Sequence, residues 1–297
     1  MSDFERFVTI HDGLQLRTPV LIAAFRGWND AGDSASHAAA HLGRSWSAKR
    51  LASIDPEEFY DFQANRPHVS LIDGRHRRVT WPANELWGAH IVGADRDVLI
   101  FVGTEPNLKW RTYSSLIVEL ARRYSVEMVI TLGALLADVP HSRPVQITGT
   151  AMSDELIRDL HLERSRYEGP TGIVGVLGDV LSKEGLHSAS LWAAVPHYLA
   201  VTPNPKAALA LIEKASRLMG VPADISALVA ATSVFEEHVA EMVAQDEDVQ
   251  AYVRMLEERM DQAQAVDPID PSRIPSGEAL AQDFERFLRE RERNGDD

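Results

Sequence analysis

Four short apolar runs that fail to alternate constrain the fold most. They span residues 19–26, 98–102, 126–132 and 189–195, are rich in Val, Ile, Leu and Ala, and carry almost no charge. A strand with one wet face alternates apolar and polar side chains, so a continuous run needs cover on both faces. Each run stops at Gly or Pro, and stretches of helical spacing lie between them. That pattern predicts an α/β protein built on a buried sheet. The run at 126–132 reads as its central strand, ended by Gly133. A polar loop with Asp138, His141, Ser142 and Arg143 follows, and a further strand at 145–148 leaves it.

Helices are expected over 34–46, 108–124, 153–161 and 206–219, and over a segment after Gly172. Asp33 or Ser34 offers an N-cap oxygen for the first, and Pro205 suits the first position of the helix at 206–219. Gly172, Gly175 and Gly178 recur every three residues, a spacing that lets a helix approach its neighbour closely. Residues 49–93 differ, with short β-like pieces at 51–54, 69–72, 78–81 and 89–92, and Asp73-Gly74 as a hairpin signal. They read as an antiparallel excursion. The domain expectation is an α/β core over 1–221 and an acidic helical region over 222–297. In the latter, Val249, Tyr252, Val253, Leu256 and Met260 form one amphipathic stripe and Leu280, Phe284, Phe287 and Leu288 another, joined through Pro268, Pro271 and Pro275.

Charge narrows the function classes. The net charge is −14, of which residues 236–297 carry −11 and the remaining 235 residues −3. Nucleic acid needs a basic surface and is not expected as a partner. With no cysteine, disulfide and thiolate chemistry are out. The charged start lacks a signal-peptide core, and the apolar stretches fall short of the roughly 20 residues a membrane helix needs. A cytoplasmic protein without membrane contact is expected.

Strong catalytic motifs are missing. There is no Gly-Lys-Ser/Thr phosphate loop, no Gly-x-Gly-x-x-Gly after a strand and no Gly-x-Ser-x-Gly elbow. The 11 His residues are scattered along the chain, and no metal and no cofactor are expected. Five loops hold the candidates, all read as standing at carboxyl ends of strands. They contribute Arg26, Gly27, Asn29 and Asp30; Glu105 and Arg111; Gly133, His141 and Arg143; Glu168 and Thr171; His197 and Asn204. Loops after parallel strands gather at one sheet edge, so these residues are expected around one crevice. Glu105, Arg143 and Glu168 have the chemistry to bind a small polar ligand or to move a proton. Gly, Pro, Asn and Asp also shape and cap turns, which accounts for the same residues without any ligand. Trp28 and Trp110 are expected to be packing anchors.

Residues 25–32 (Phe-Arg-Gly-Trp-Asn-Asp-Ala-Gly), 103–106 (Gly-Thr-Glu-Pro), 132–141 (Leu-Gly-Ala-Leu-Leu-Ala-Asp-Val-Pro-His), 167–172 (Tyr-Glu-Gly-Pro-Thr-Gly) and 203–206 (Pro-Asn-Pro-Lys) form a recognisable set. The set resembles the proteasome-assembly-chaperone family of the second-subunit type, the PAC-two family, in its actinobacterial branch. The likeness spans about residues 15–235. It implies a three-layer α/β fold with a mixed sheet, similar to purine nucleoside phosphorylases and nucleoside hydrolases. It also implies self-association, a trimer among the options, and no established catalytic activity. Eukaryotic and archaeal members help assemble proteasome α-rings, so proteasome-related proteins join the expected partners. Archaeal members dock through a C-terminal hydrophobic-tyrosine-any-residue tail. Residues 294–297 read Asn-Gly-Asp-Asp, so docking by that device is not expected. The leading expectation is a non-catalytic scaffold or assembly-chaperone-like protein; the alternative is an enzyme acting on a nucleoside or related small molecule.

Overall fold

A computed structural model describes residues 2–199 and 201–265. The expected stripe around Phe284 and the proline segment before it lie outside these residues. The four apolar runs become β2 (Val20–Arg26), β7 (Val98–Thr104), β8 (Met128–Ala137) and β10 (His187–Pro196). They lie side by side and parallel in the order β7-β2-β8-β10. β2 shows why such runs need no alternation. Val20, Ile22 and Ala24 face α2 (Ser34–Ser45) and α6 (Pro205–Met219), while Leu21, Ala23 and Phe25 face α3 (Trp110–Arg123) and α5 (Ile173–Lys183). The molecule is therefore three-layered and α/β, as expected.

Antiparallel strands finish both sides of the sheet. β6 (Glu85–Ala89), β3 (Lys49–Ile54) and β1 (Val8–Ile10) extend it beyond β7, and β9 (Ile147–Ala151) pairs with β10 at the other side. β6 lies earlier in the chain than the piece expected at 89–92. β4 (His68–Ile72) and β5 (His76–Thr80) form a separate two-stranded ribbon. Asp73 and Gly74 turn it with φ of 51° and 68°, the left-handed pair a tight hairpin requires.

Two glycine expectations need correction. Gly133 does not end β8, which runs on to Ala137. It stands opposite Trp192 of β10, and a Cβ there would meet the indole at 2.6 Å. The glycine makes room for a ring. Nor do the three glycines near α5 form one helix-packing stripe. A Cβ at Gly172 would strike the Asn29 amide at 2.2 Å, whereas Gly178 has nothing within 4 Å.

Beyond the sheet, α7 (Ser226–Ala244) buries Leu228, Thr232, Phe235 and Val239. Phe235 and Val239 cluster with Leu199 from the loop after β10. α8 (Glu247–Ala265) then folds back over the loops after β8 and β10, burying Val253, Leu256 and Met260 of the expected stripe. Among the described residues no helix is long and apolar enough to cross a membrane.

Candidate functional site

Because β7, β2, β8 and β10 are parallel, their carboxyl ends open on one edge of the sheet. Four of the five candidate loops follow those strands. The fifth, carrying Glu168 and Thr171, does not follow a strand end but leads into α5.

Glu105 is the junction of three loops. Its Oε1 accepts from Asn29 Nδ2 at 2.9 Å and from the Ile173 backbone N–H at 2.8 Å; Oε2 lies 3.4 Å from the Trp28 nitrogen. The Ile173 bond has a local cause. α5 starts after Gly172, which has no side chain to cap it, and its first turn holds no acidic residue. A carboxylate from the neighbouring strand takes that role and complements the positive end of the helix. Gly27 permits the approach: its φ is 125°, and a Cβ there would sit 3.1 Å from Glu105 Cβ.

Asp30 acts similarly on α2. Asp33 occupies the N-cap position in a left-handed conformation and makes no side-chain cap bond, contrary to the expectation for Asp33 or Ser34. The buried Asp30 carboxylate instead accepts from Ala35 N at 2.6 Å and from Ser36 N at 3.2 Å. Burial pushes its pKa up, and these bonds oppose the rise. Asn204 caps α6, accepting from Ala207 N at 3.0 Å while its own N–H reaches Gly32 O at 2.8 Å.

A second cluster forms under α8. The Tyr198 hydroxyl lies 2.8 Å from both the backbone nitrogen and Nδ1 of His141, and Lys206 Nζ donates to His141 O at 2.6 Å. Burial, then the Lys206 charge, hold the His141 pKa low. Arg143 pairs with Asp261 at 2.7 Å and Glu257 at 3.7 Å, both on α8. His197 lies 3.1 Å from Asp138 and edge-on to Tyr198 and Tyr252.

Six of the thirteen candidates thus fall into two groups. One lines an open recess of about 390 Å³ bounded by Arg26, Gly27, Thr104, Glu105, Asn107 and Trp110. The other surrounds a cavity of about 20 Å³ lined by His141, Arg143, Asn204, Lys206 and Phe235, room for one water. The two share no lining residue. Arg111, Glu168, Thr171 and His197 are exposed and line neither recess; Asn29 and Asp30 are buried and line neither, and Gly133 is buried under Trp192. Trp110 is tied down, its Nε1 donating to Pro106 O at 2.6 Å, but Trp28 is 65% exposed and is no packing anchor.

Sequence reasoning passed over two buried polar centres. Asn84 Oδ1 accepts from Tyr60 and Tyr113, each at 2.7 Å, and from Thr104 N at 3.2 Å, fixing the corner that presents Glu105. Burial pushes the Tyr60 phenol up to about 12. Asp97 is fully buried and takes bonds from Arg17, His90 and Ile91 N. Burial works against its charge, yet these bonds prevail and hold its carboxyl well below the usual range. Asn84 lies in a Pro-Ala-Asn segment and Asp97 in an Asp-Arg-Asp turn, and both look like solvated loop in sequence. Among the described residues no three His, Cys, Asp or Glu are placed to hold a metal ion.

Together these features define a three-layer α/β scaffold with a mixed sheet, in which Asp30 and Glu105 at the sheet edge each hold a helix N-terminus. The chain belongs to the PAC2 family, whose model matches residues 24–243. It is similar to the PAC2 family protein of Streptomyces avermitilis, with 43% identity, 79% of this chain and 99% of that one covered, and a TM-score of 0.74. Similarity to the proteasome-assembly chaperone homologue of Mycobacterium tuberculosis is of the same order: 42% identity, the same coverage and a TM-score of 0.72. A second M. tuberculosis protein, of unknown function, matches at 28% identity over 88% of this chain and 92% of its own, with a TM-score of 0.80. No curated protein matches the chain.

Proposed function

We propose that this chain is a non-catalytic, self-associating assembly factor that engages proteasome-related proteins in the cytoplasm. The observation that carries this reading is the 42% identity to a proteasome-assembly chaperone homologue over 99% of that protein's length. The site supports it. A general base needs a free lone pair facing the substrate; both Asp30 oxygens face the N-terminus of α2, and Glu105 Oε1 is committed to Asn29 and the N-terminus of α5. On this reading residues 1–221 are the core and 222–297 an acidic helical region that adds surface for partners. The recess beside Arg26 and Glu105 adds a docking recess on the core. The test is whether the chain binds proteasome α-subunits of its own organism and speeds their assembly into rings. Absence of both effects, with turnover of a nucleoside by the same preparation, would replace this reading with the enzymatic one.

A further inference from the structure

The β4–β5 ribbon stands apart from both cores and is exposed along nearly its whole length. An isolated two-stranded hairpin is marginally stable in water. The register places Val69 opposite Val79 and Leu71 opposite Arg77. Strand side chains alternate, so these four share one face. Val69 and Leu71 are each 61% exposed, and Val79 and the following Trp81 each 48%. The ribbon is also basic: residues 66–81 hold Arg66, Arg75, Arg77 and Arg78 against a single acid, Asp73, in a chain of net charge −14. Among the described residues none of these arginines forms an ion pair.

The outer face of α7 has the complementary character. Ala230, Val234, Glu237 and Glu241 fall at i, i+4, i+7 and i+11 on one side of it and are exposed, Val234 at 67%. A short apolar patch there, continued by two glutamates, is complementary to the apolar and arginine-bearing ribbon. A basic patch on an acidic chain finds its nearest abundant counterpart in another copy of that chain.

We infer that the β4–β5 ribbon docks on the acidic outer face of α7 of a second copy. The inference rests on the self-association proposed above and names the surfaces that meet. Repeated head to tail, this contact closes a ring where the rotation between copies allows it; exchanged between two copies, it makes a two-fold dimer.

The test is sedimentation of the full chain at micromolar concentration, with the charge-reversed pairs Arg75→Glu with Arg77→Glu, Glu237→Arg with Glu241→Arg, and all four together. These side chains are exposed, and circular dichroism checks folding. Each pair alone is expected to weaken association about tenfold or more, and the fourfold swap to recover most of it. Salt should weaken the parent's association. A monomeric parent near 33 kDa removes the self-association reading itself. An oligomeric parent that neither pair disturbs removes only the ribbon-to-helix contact. So does a ribbon pair that dissociates while the fourfold swap fails to recover.

Discussion

Replacing Glu105 with Ala separates a structural junction from a catalytic carboxylate. The substitution removes the acceptor for Asn29 Nδ2 at 2.9 Å and Ile173 N at 2.8 Å. The Trp28 contact at 3.4 Å is too long to count for much. A hydrogen bond to a charged group contributes about 1.5–3 kcal/mol. Glu105 is half-buried, so the lower figure applies, and two bonds give about 3 kcal/mol. For a domain of this size that is a fall in Tm of about 6–12 °C. Glu105→Gln keeps one carbonyl acceptor and should lose about half as much. Thermal and urea unfolding read the loss. Amide exchange at Ile173 localises it, because that N–H becomes an unsatisfied donor at the start of α5. A catalytic carboxylate behaves oppositely, since its removal tends to leave stability unchanged or to raise it. An Ala variant within about 0.5 kcal/mol of the parent, the usual effect of a surface change, would refute the junction.

Two further outcomes follow from the same geometry. Gly133→Ala puts a methyl group into the Trp192 ring at 2.6 Å and should cost about 1–3 kcal/mol by urea unfolding, with recovery when Trp192→Leu is added; no cost would mean that the ring simply moves aside. His141, held low by burial, binds fewer protons folded than unfolded, so its contribution is present above its ordinary pKa of 6.5 and is lost as pH falls from there through its lower folded value. Unfolding free energies at pH 7.5 and 5.5 should therefore differ less in His141→Gln than in the parent, and equal differences would deny the histidine that role.

The sheet was legible because burial on both faces leaves a mark in sequence. Runs such as residues 20–25 cannot be half-wet strands, and all four runs fall into adjacent parallel positions. Asp73-Gly74 was legible because few residues tolerate two successive positive φ angles. Gly133 misled because a glycine that ends a strand and one that makes room for a ring on the next strand look alike until the register with Trp192 is known. The candidate residues were legible as a set of loops but not as two groups. Which carboxylate reaches which helix N-terminus depends on contacts such as Glu105 to Ile173, 68 residues apart. Asp97 and Asn84 stayed hidden because a buried, fully bonded polar group has the same letter as a solvated one.

On the proposed function this fold assembles other proteins and does no chemistry at its sheet edge. Ring formation from purified proteasome α-subunits of the same organism, followed by native light scattering with and without the chain, tests it most directly. Rings are expected to form faster, with the chain bound to an intermediate and absent from the finished ring. Identical time courses at every ratio of chain to subunit, with no complex detected, would contradict it.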